Sequence, residues 1–177
     1  MALHNKLFLV NLELEGPNAL SWDFMSVKYW QGVLDDFVFK IADSFAFAGV
    51  CKSADLFPEG LNYFENWELD FIKLVEAEDD IVCRFNLNDN CKYNFLEFDF
   101  AIHNFKNEKF NDYYEFDQLY FFSGTRLIAI YTHHESMINF LDLTDNEVAL
   151  IETLGPDIKA AFVDSADFGN ALNERYK

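Results

Sequence analysis

The spacing of apolar residues changes twice along this chain, and these changes constrain the fold more than any other feature. Residues 7–15 alternate between apolar and polar side chains, which predicts a half-buried strand. From Leu20 to Phe45 the apolar residues recur at intervals of three and four, which predicts an amphipathic helix of about seven turns. Because residues 37–41 also alternate, a strand there is the alternative interpretation.

Alternation returns in the second half of the chain, in short segments separated by polar turns. The predicted strands are residues 67–75, 81–87, 96–102, 119–122, 127–131 and 137–143. Thr144 and Glu147 have the spacing of a capping box, which predicts a helix that ends at Leu154. A last short helix is predicted from about Asp164.

The order of these elements predicts an α+β fold over a single domain, residues 1–177. Strands joined by short turns form an antiparallel sheet meander, and we expect the long N-terminal helix and the C-terminal helices to pack on one face of it. The chain is 51% hydrophobic and 18% aromatic, so it is long and apolar enough to bury a core. Nothing in it resembles an interdomain linker.

Cysteine usage and the N-terminal segment predict a cytoplasmic protein. Cys51, Cys83 and Cys91 are odd in number and form no C-x-x-C pair, as is typical of free thiols in a reducing compartment. The apolar run from Leu7 to Val10 is too short for the core of a signal peptide. No window approaches the roughly 18 apolar residues of a membrane span. We expect no membrane association.

Net charge is the strongest functional signal in the composition. The chain carries 31 acidic residues against 13 Lys and Arg, for a formal charge of −18 at pH 7. Such a chain repels nucleic acid and anionic membranes and attracts basic proteins. The alternative interpretation is that the charge only keeps an aromatic-rich protein soluble.

The sequence "THHES", residues 132–136, is the candidate for catalysis or metal binding. It contains His133, His134 and Glu135, with Ser136 beside them. Neighbouring side chains of an extended segment point in opposite directions, and the histidines lack the spacing of a tetrahedral metal site. We therefore predict a polar turn between two strands, with no metal and no cofactor. An enzyme that uses His133, His134 and Glu135 is the alternative.

The sequence "NLNDNCKYNFLE", residues 86–97, resembles a calcium-binding loop of the EF-hand type. Asn86, Asn88, Asn90 and Glu97 occupy the first, third, fifth and twelfth positions. Cys91 stands where the sharp turn requires Gly, and the flanking segments alternate like strands. We therefore predict an Asn-rich turn.

Acidic residues face away from the apolar side of several predicted strands. They are Glu13 and Glu15, Glu68 and Asp70, and Glu97 and Asp99. A predicted loop over residues 104–117 adds acids and tyrosines: Asp112, Tyr113, Tyr114, Glu115 and Asp117. Tyrosines supply buried anchors and carboxylates pair with Arg and Lys, so this set is typical of a surface that binds a basic protein. The alternative is a solvated sheet face.

In size, acidity and layout the whole chain resembles the immunity proteins of bacterial contact-dependent growth inhibition systems. That resemblance includes no diagnostic motif and carries over no residue. It implies a toxin inhibitor that acts by protein–protein interaction, neutralising a basic nuclease toxin by covering its nucleic-acid cleft. A mimic of DNA charge, which would block some other nucleic-acid-binding protein, is a further alternative.

Overall fold

The computed structural model describes residues 3–9, 31–51, 68–77, 80–97, 114–132, 137–160 and 162–164. The strands are β1 Leu3–Leu9, β2 Ser44–Cys51, β3 Asp70–Ala77, β4 Asp80–Asn86, β5 Tyr114–Ser123, β6 Arg126–Thr132, β7 Met137–Thr144 and β8 Phe162–Asp164. The helices are α1 over 31–41, α2 Asp89–Glu97, α3 Asp145–Ile151 and α4 Pro156–Ala160. Within α1, Leu34–Val38 form a π-helical turn and Phe39–Ile41 a final α-helical turn.

The eight strands form one antiparallel sheet with the order β3-β4-β2-β5-β6-β7-β1-β8. Three hairpins join sequence neighbours: β3 with β4, β5 with β6, and β6 with β7. The early strand β2 pairs with both β4 and β5 and therefore lies inside the sheet. The predicted α+β class and antiparallel sheet are confirmed, whereas this insertion of β2 makes the sheet more than a simple meander.

A row of register partners crosses one face of the sheet and forms the centre of the core. It contains Phe71, Phe85, Phe45, Phe121, Ala129 and Phe140, on six adjacent strands from β3 to β7. The ring centroids of Phe45 and Phe85 lie 5.6 Å apart. All members of the row except Phe71 are buried. Large aromatic rings that meet across strands stabilise the sheet through burial and through their edge contacts.

Helices α1 and α2 cover this aromatic row. Phe95 of α2 contacts the rings of Phe45 and Phe121, at centroid distances of 5.1 and 5.7 Å. Phe37 of α1 meets Phe140 edge-on at 5.1 Å. A Cβ atom at Gly32 of α1 would collide with the side chain of Ile158 in α4, so the glycine permits close packing of these two helices.

The helix predicted from Leu20 to Phe45 ends earlier than expected. In the described part, α1 stops at Ile41, and Ala42 is already extended, with φ −88° and ψ 144°. Phe45 belongs to β2, where it shares the core face with Phe47. The four-residue interval from Ile41 to Phe45 matches the spacing of a helix. From residue 45, however, Phe-Ala-Phe-Ala alternates large and small side chains, and this period of two fits a strand inside the sheet. Residues 20–30 lie outside the described residues.

Three other predicted elements differ from the structure in their described residues or in their bounds. The strand predicted at 96–102 conflicts with α2, which includes Leu96 and Glu97; residues 98–102 lie outside the described residues. The helix predicted from about Asp164 does not include Asp164, which pairs with Lys6 in the β1–β8 ladder, and residues 165–177 lie outside the described residues. The first strand spans Leu3–Leu9 and so includes residues 7–9 of the strand predicted at 7–15, whereas residues 10–15 lie outside the described residues.

Local signals with a specific geometry are confirmed. Gly124 lies in the turn between β5 and β6 with φ 58°, a conformation that glycine adopts without strain. Thr144 caps α3, and both hydrogen bonds of the predicted capping box are present. The helix α3 ends at Ile151, before the predicted Leu154, and Pro156 begins the separate helix α4.

Candidate protein-binding surface

The sheet face opposite the aromatic row does not carry the predicted plate of acids in the part that the structure describes. Ser44, Ala46 and Arg84 lie there and are buried, beside Tyr120 and Phe122 of β5. Of the six acids predicted on strand faces, only Asp70 is found within a strand, and Glu13, Glu15 and Asp99 lie outside the described residues. The predicted face is therefore wrong where it is described.

Glu68 and Asp70 both lie at the start of β3, exposed. Glu68 precedes the strand and has a positive φ of 50°, so it does not alternate with Asp70 as the prediction required. Its backbone carbonyl accepts a hydrogen bond from the Asn88 side chain at 3.0 Å. The Asp70 carboxylate accepts one from Asn86 at 2.7 Å. These bonds fix both acids beside the first turn of α2.

The other predicted contact residues are divided between a helix and a strand. Glu97 is the last residue of α2, not a strand residue. Tyr114, Glu115 and Asp117 belong to β5 and not to a loop. Tyr114 and Glu115 pair with residues 51 and 50 of β2, so the ladder fixes their backbone. Asp112 and Tyr113 lie outside the described residues. The loop prediction for residues 114–117 is wrong because β2 lies inside the sheet and pairs with β5. The local sequence of β5 does not reveal this partner.

Every basic side chain that the structure describes forms an ion pair with an acid of the same chain. The N–O distances range up to 3.8 Å. The pairs are Lys6–Asp164, Lys40–Asp36, Arg84–Asp43, Lys92–Asp89, Arg126–Glu147 and Lys159–Glu152. Exposed pairs contribute little stability. They nevertheless neutralise the few cations locally, so the excess carboxylates determine the field outside the molecule.

Arg126 and Glu147 form the best-organised of these pairs. Two parallel hydrogen bonds of 3.0 and 2.5 Å join the guanidinium to the carboxylate, and Arg126 also donates to the carbonyl of Asp142 at 2.6 Å. Glu147, which is 9% exposed, accepts a further bond from the Thr144 amide at 2.7 Å. Burial raises the pKa of Glu147, but the hydrogen bonds from Arg126 and Thr144 and the charge of Arg126 outweigh it and hold that pKa below its ordinary value.

A second arginine, Arg84, is buried beside the β5–β6 turn. Arg84 of β4 is 8% exposed and donates to the Ser44 hydroxyl and to the carbonyl of Gly124. Its guanidinium carbon lies 4.1 Å from the centre of the Phe122 ring. The Asp43 carboxylate accepts from the Gly124 amide at 2.6 Å. This network fixes the turn, and its donors are directed at the protein's own groups.

The described cysteines lack the properties of reactive thiols. Cys83 and Cys91 are buried and form no disulfide. Burial raises the pKa of Cys83 to about 12, and burial is also the main reason that the pKa of Cys91 rises to about 11. Because the thiolate is the nucleophile and the metal ligand, such thiols are inert near neutral pH.

The structure bears differently on the two candidate motifs, residues 132–136 and residues 86–97. His133, His134, Glu135 and Ser136 lie outside the described residues; β6 and β7, which they connect, pair from Thr132 and Met137 onward. The Asn-rich segment is not a turn but a strand end followed by a helix, and the Asn88 carboxamide caps α2 by accepting from the Cys91 amide at 2.8 Å. Within the described ranges, no group of three or more His, Cys, Asp or Glu side chains is placed to hold a metal.

The edge strand β3 exposes apolar side chains that the sequence pattern assigns to the core. Phe71 is 54% exposed although its ring contacts Phe85, and the neighbouring Ile72 is 40% exposed. The register shifts between Phe71 and Lys73, so Ile72 forms a β-bulge. Alternation predicts which side chains share a face, but it does not reveal that β3 lies at the edge of the sheet.

Comparison with known proteins finds no relative: no family model, no curated protein and no solved structure matches this chain. Among the described helices, none is both long enough and apolar enough to cross a membrane.

Proposed function

We propose that this protein is an acidic protein-binding inhibitor, and specifically an immunity protein that neutralises a basic nuclease toxin by covering its nucleic-acid cleft. The observation that carries the proposal is the distribution of charge. The chain has a formal charge of −18, and its described cations are paired with its own acids. What it presents to a partner is therefore an excess of carboxylates.

A nuclease cleft is a suitable partner for such a surface on physical grounds. The cleft must be positively charged to hold phosphates, and carboxylates form short, charge-assisted hydrogen bonds with the same Arg and Lys side chains. Long-range attraction between opposite charges raises the association rate, which matters to an inhibitor that must reach a toxin before the toxin reaches nucleic acid.

Exposed acids lie near both edges of the sheet. They include Glu68 and Asp70 at the β3 edge and Glu152, which follows α3 near β7 and β1. Because these sites are separated by most of the width of the sheet, they allow a matched test of which side meets the partner. We place the interface at Glu68 and Asp70. Asp112, Tyr113, Tyr114, Glu115, Asp117, Glu97 and Asp99 remain proposed contact residues, although Tyr114 pairs with Cys51 at the other end of β2 from Ser44.

Charge reversal at Glu68 is expected to slow association with the partner, whereas the same reversal at Glu152 is expected to have a much smaller effect. The partner to use is the product of the neighbouring reading frame, which this proposal expects to be a basic nuclease. We expect Glu68→Lys to reduce the association rate about 3- to 10-fold at low salt, and the difference to fade as salt screens the charges. Stopped-flow or surface-based kinetics across a salt series measures both rates.

The tyrosines of the proposed interface are expected to act on the other rate. Tyr113→Ala with Tyr114→Ala should speed dissociation, at a cost of about 2 kcal/mol or more in binding. Equal effects of Glu68→Lys and Glu152→Lys, with unchanged dissociation of the tyrosine variant, would place the interface elsewhere. Equally tight binding to an unrelated basic DNA-binding protein would instead favour the DNA-charge mimic.

A further inference from the structure

The outer edge of β3 combines three properties that are found separately elsewhere in the described part of the chain. No described strand lies beyond β3 in the sheet order. On its inner side, the backbone of β3 pairs with β4 from Asp70 to Ala77, with a register shift between Phe71 and Lys73. Phe71 and Ile72 are exposed side by side at its start. An ordered edge strand with exposed apolar side chains is a template for an additional strand.

The charge around this edge restricts what such a strand can be. Residues 68–80 contain six acids, Glu68, Asp70, Glu76, Glu78, Asp79 and Asp80, against the single Lys73. Glu68 and Asp70 are exposed beside the apolar pair. A strand laid along β3 passes Asp70 at the start of β3 and Glu76 near its end, so lysines or arginines in it gain favourable pairs and acids in it are repelled.

We propose that β3 captures an extended basic segment of the partner as a ninth strand of the sheet, with Phe71 and Ile72 in contact with apolar side chains of that segment. This inference rests on the proposed function and adds the mode of recognition to it. Main-chain hydrogen bonds along β3 supply affinity, and the acids at its two ends select a basic sequence.

A second copy of the chain is disfavoured as the occupant of this edge. Antiparallel pairing of β3 with its own copy brings the acids of 68–80 on one chain opposite those on the other, with one lysine from each chain to compensate. Like charges placed directly opposite destabilise a strand pair.

The test uses the full chain and a synthetic peptide of alternating lysine and valine, eight residues long like β3. The matched control peptide has the same sequence with alternate amides N-methylated, so it keeps the charge but cannot complete a strand ladder. We expect the first peptide to slow amide hydrogen exchange in β3 about 10-fold or more, with no change in β8 at the opposite edge, and the N-methylated peptide to give no protection.

The protein variants separate the apolar contact from general charge attraction. Phe71→Ser with Ile72→Ser should weaken the binding of the lysine–valine peptide about 10-fold. Leu3→Ser should leave it unchanged, although Leu3 is exposed to a similar degree, at 59%. Absence of β3 protection, equal binding of both peptides, or equal effects of the two variants each overturns the proposal. A dimer in sedimentation that only the β3 variant dissociates makes a second copy the occupant and overturns it as well.

The outcome with the proposed nuclease partner is separate from the outcome with the peptide. If the nuclease binds with the same affinity to the Phe71→Ser, Ile72→Ser variant and to the wild type, the inhibitor function stands and the strand-addition inference is wrong. If the peptide docks on β3 while no nuclease encoded beside this protein is bound, the edge site stands and the proposed function fails.

Discussion

Replacing Phe45 by alanine is expected to lower the free energy of unfolding by about 3–5 kcal/mol, as is typical for removal of a buried phenylalanine. Phe45 is fully buried at the centre of the aromatic row and contacts the rings of Phe47, Phe85 and Phe95. Its removal leaves a cavity where β2, β4 and α2 meet. Urea unfolding followed by circular dichroism measures the loss.

Phe71 is the matched control for Phe45, because the two residues lie in the same row and differ in burial. The ring of Phe71 contacts that of Phe85, and about half of the surface of Phe71 is exposed. We therefore expect Phe71→Ala to cost about 1 kcal/mol. A cost at Phe71 equal to that at Phe45 would contradict the assignment of β3 to the sheet edge.

Replacing Arg126 by methionine is expected to lower the stability at pH 7 by about 3 kcal/mol, because it leaves the Glu147 carboxylate buried without its counter-charge. The double variant Arg126→Met, Glu147→Gln should recover part of that loss, since it removes the uncompensated charge. Melts of the wild type, both single variants and the double variant give the coupling energy directly. A coupling below about 0.5 kcal/mol would show that the pair contributes no more than an exposed one.

The pH dependence of this pair has a defined sign. The folded-state pKa of Glu147 lies below its unfolded value, so its contribution to stability is complete above the unfolded pKa of about 4.3 and is lost as the pH falls through the folded pKa. Without Arg126, burial still raises the pKa of Glu147 and only the hydrogen bonds with Thr144 lower it, so this pKa lies higher than in the wild type. The difference in stability between wild type and Arg126→Met should therefore shrink from pH 7 towards about pH 3.

The parts of the fold that the sequence predicts well are those fixed by neighbouring residues. The turn at Gly124 and the capping box of Thr144 and Glu147 depend on contacts within a few residues, so their signals are complete in the local sequence. The role of Arg126 in the same capping box is not local, because it reaches Glu147 from β6. No spacing rule relates these two positions.

The errors arise where a distant element decides the outcome. Phe45 continues a helical spacing, but β4 and β5 provide ladders on both sides of residues 44–51. Leu96 and Glu97 alternate with later residues like a strand, yet the Asn88 cap and the contacts of Phe95 with Phe45 and Phe121 place them in a helix. Tertiary packing outweighs weak local preferences in both cases.

The candidate site is less predictable than the fold, because it depends on surface position. Net charge is available from composition and indicates a basic partner. The location of the binding surface is not available from composition. Asp70 and Glu68 lie at a sheet edge, whereas Tyr114 and Glu115 lie in an interior strand ladder. The exposure of Phe71 and Ile72 follows from strand order and a bulge, neither of which alternation encodes.

The inhibitor function is tested most directly in a nucleic-acid cleavage assay, by titrating this protein against the product of the neighbouring reading frame, which the proposed function expects to be a nuclease. We predict that cleavage falls in proportion to added protein and reaches zero at one equivalent, and that high salt slows the onset of inhibition. The Leu3→Ser variant should inhibit like the wild type. Undiminished cleavage at a large excess of folded protein would contradict the account.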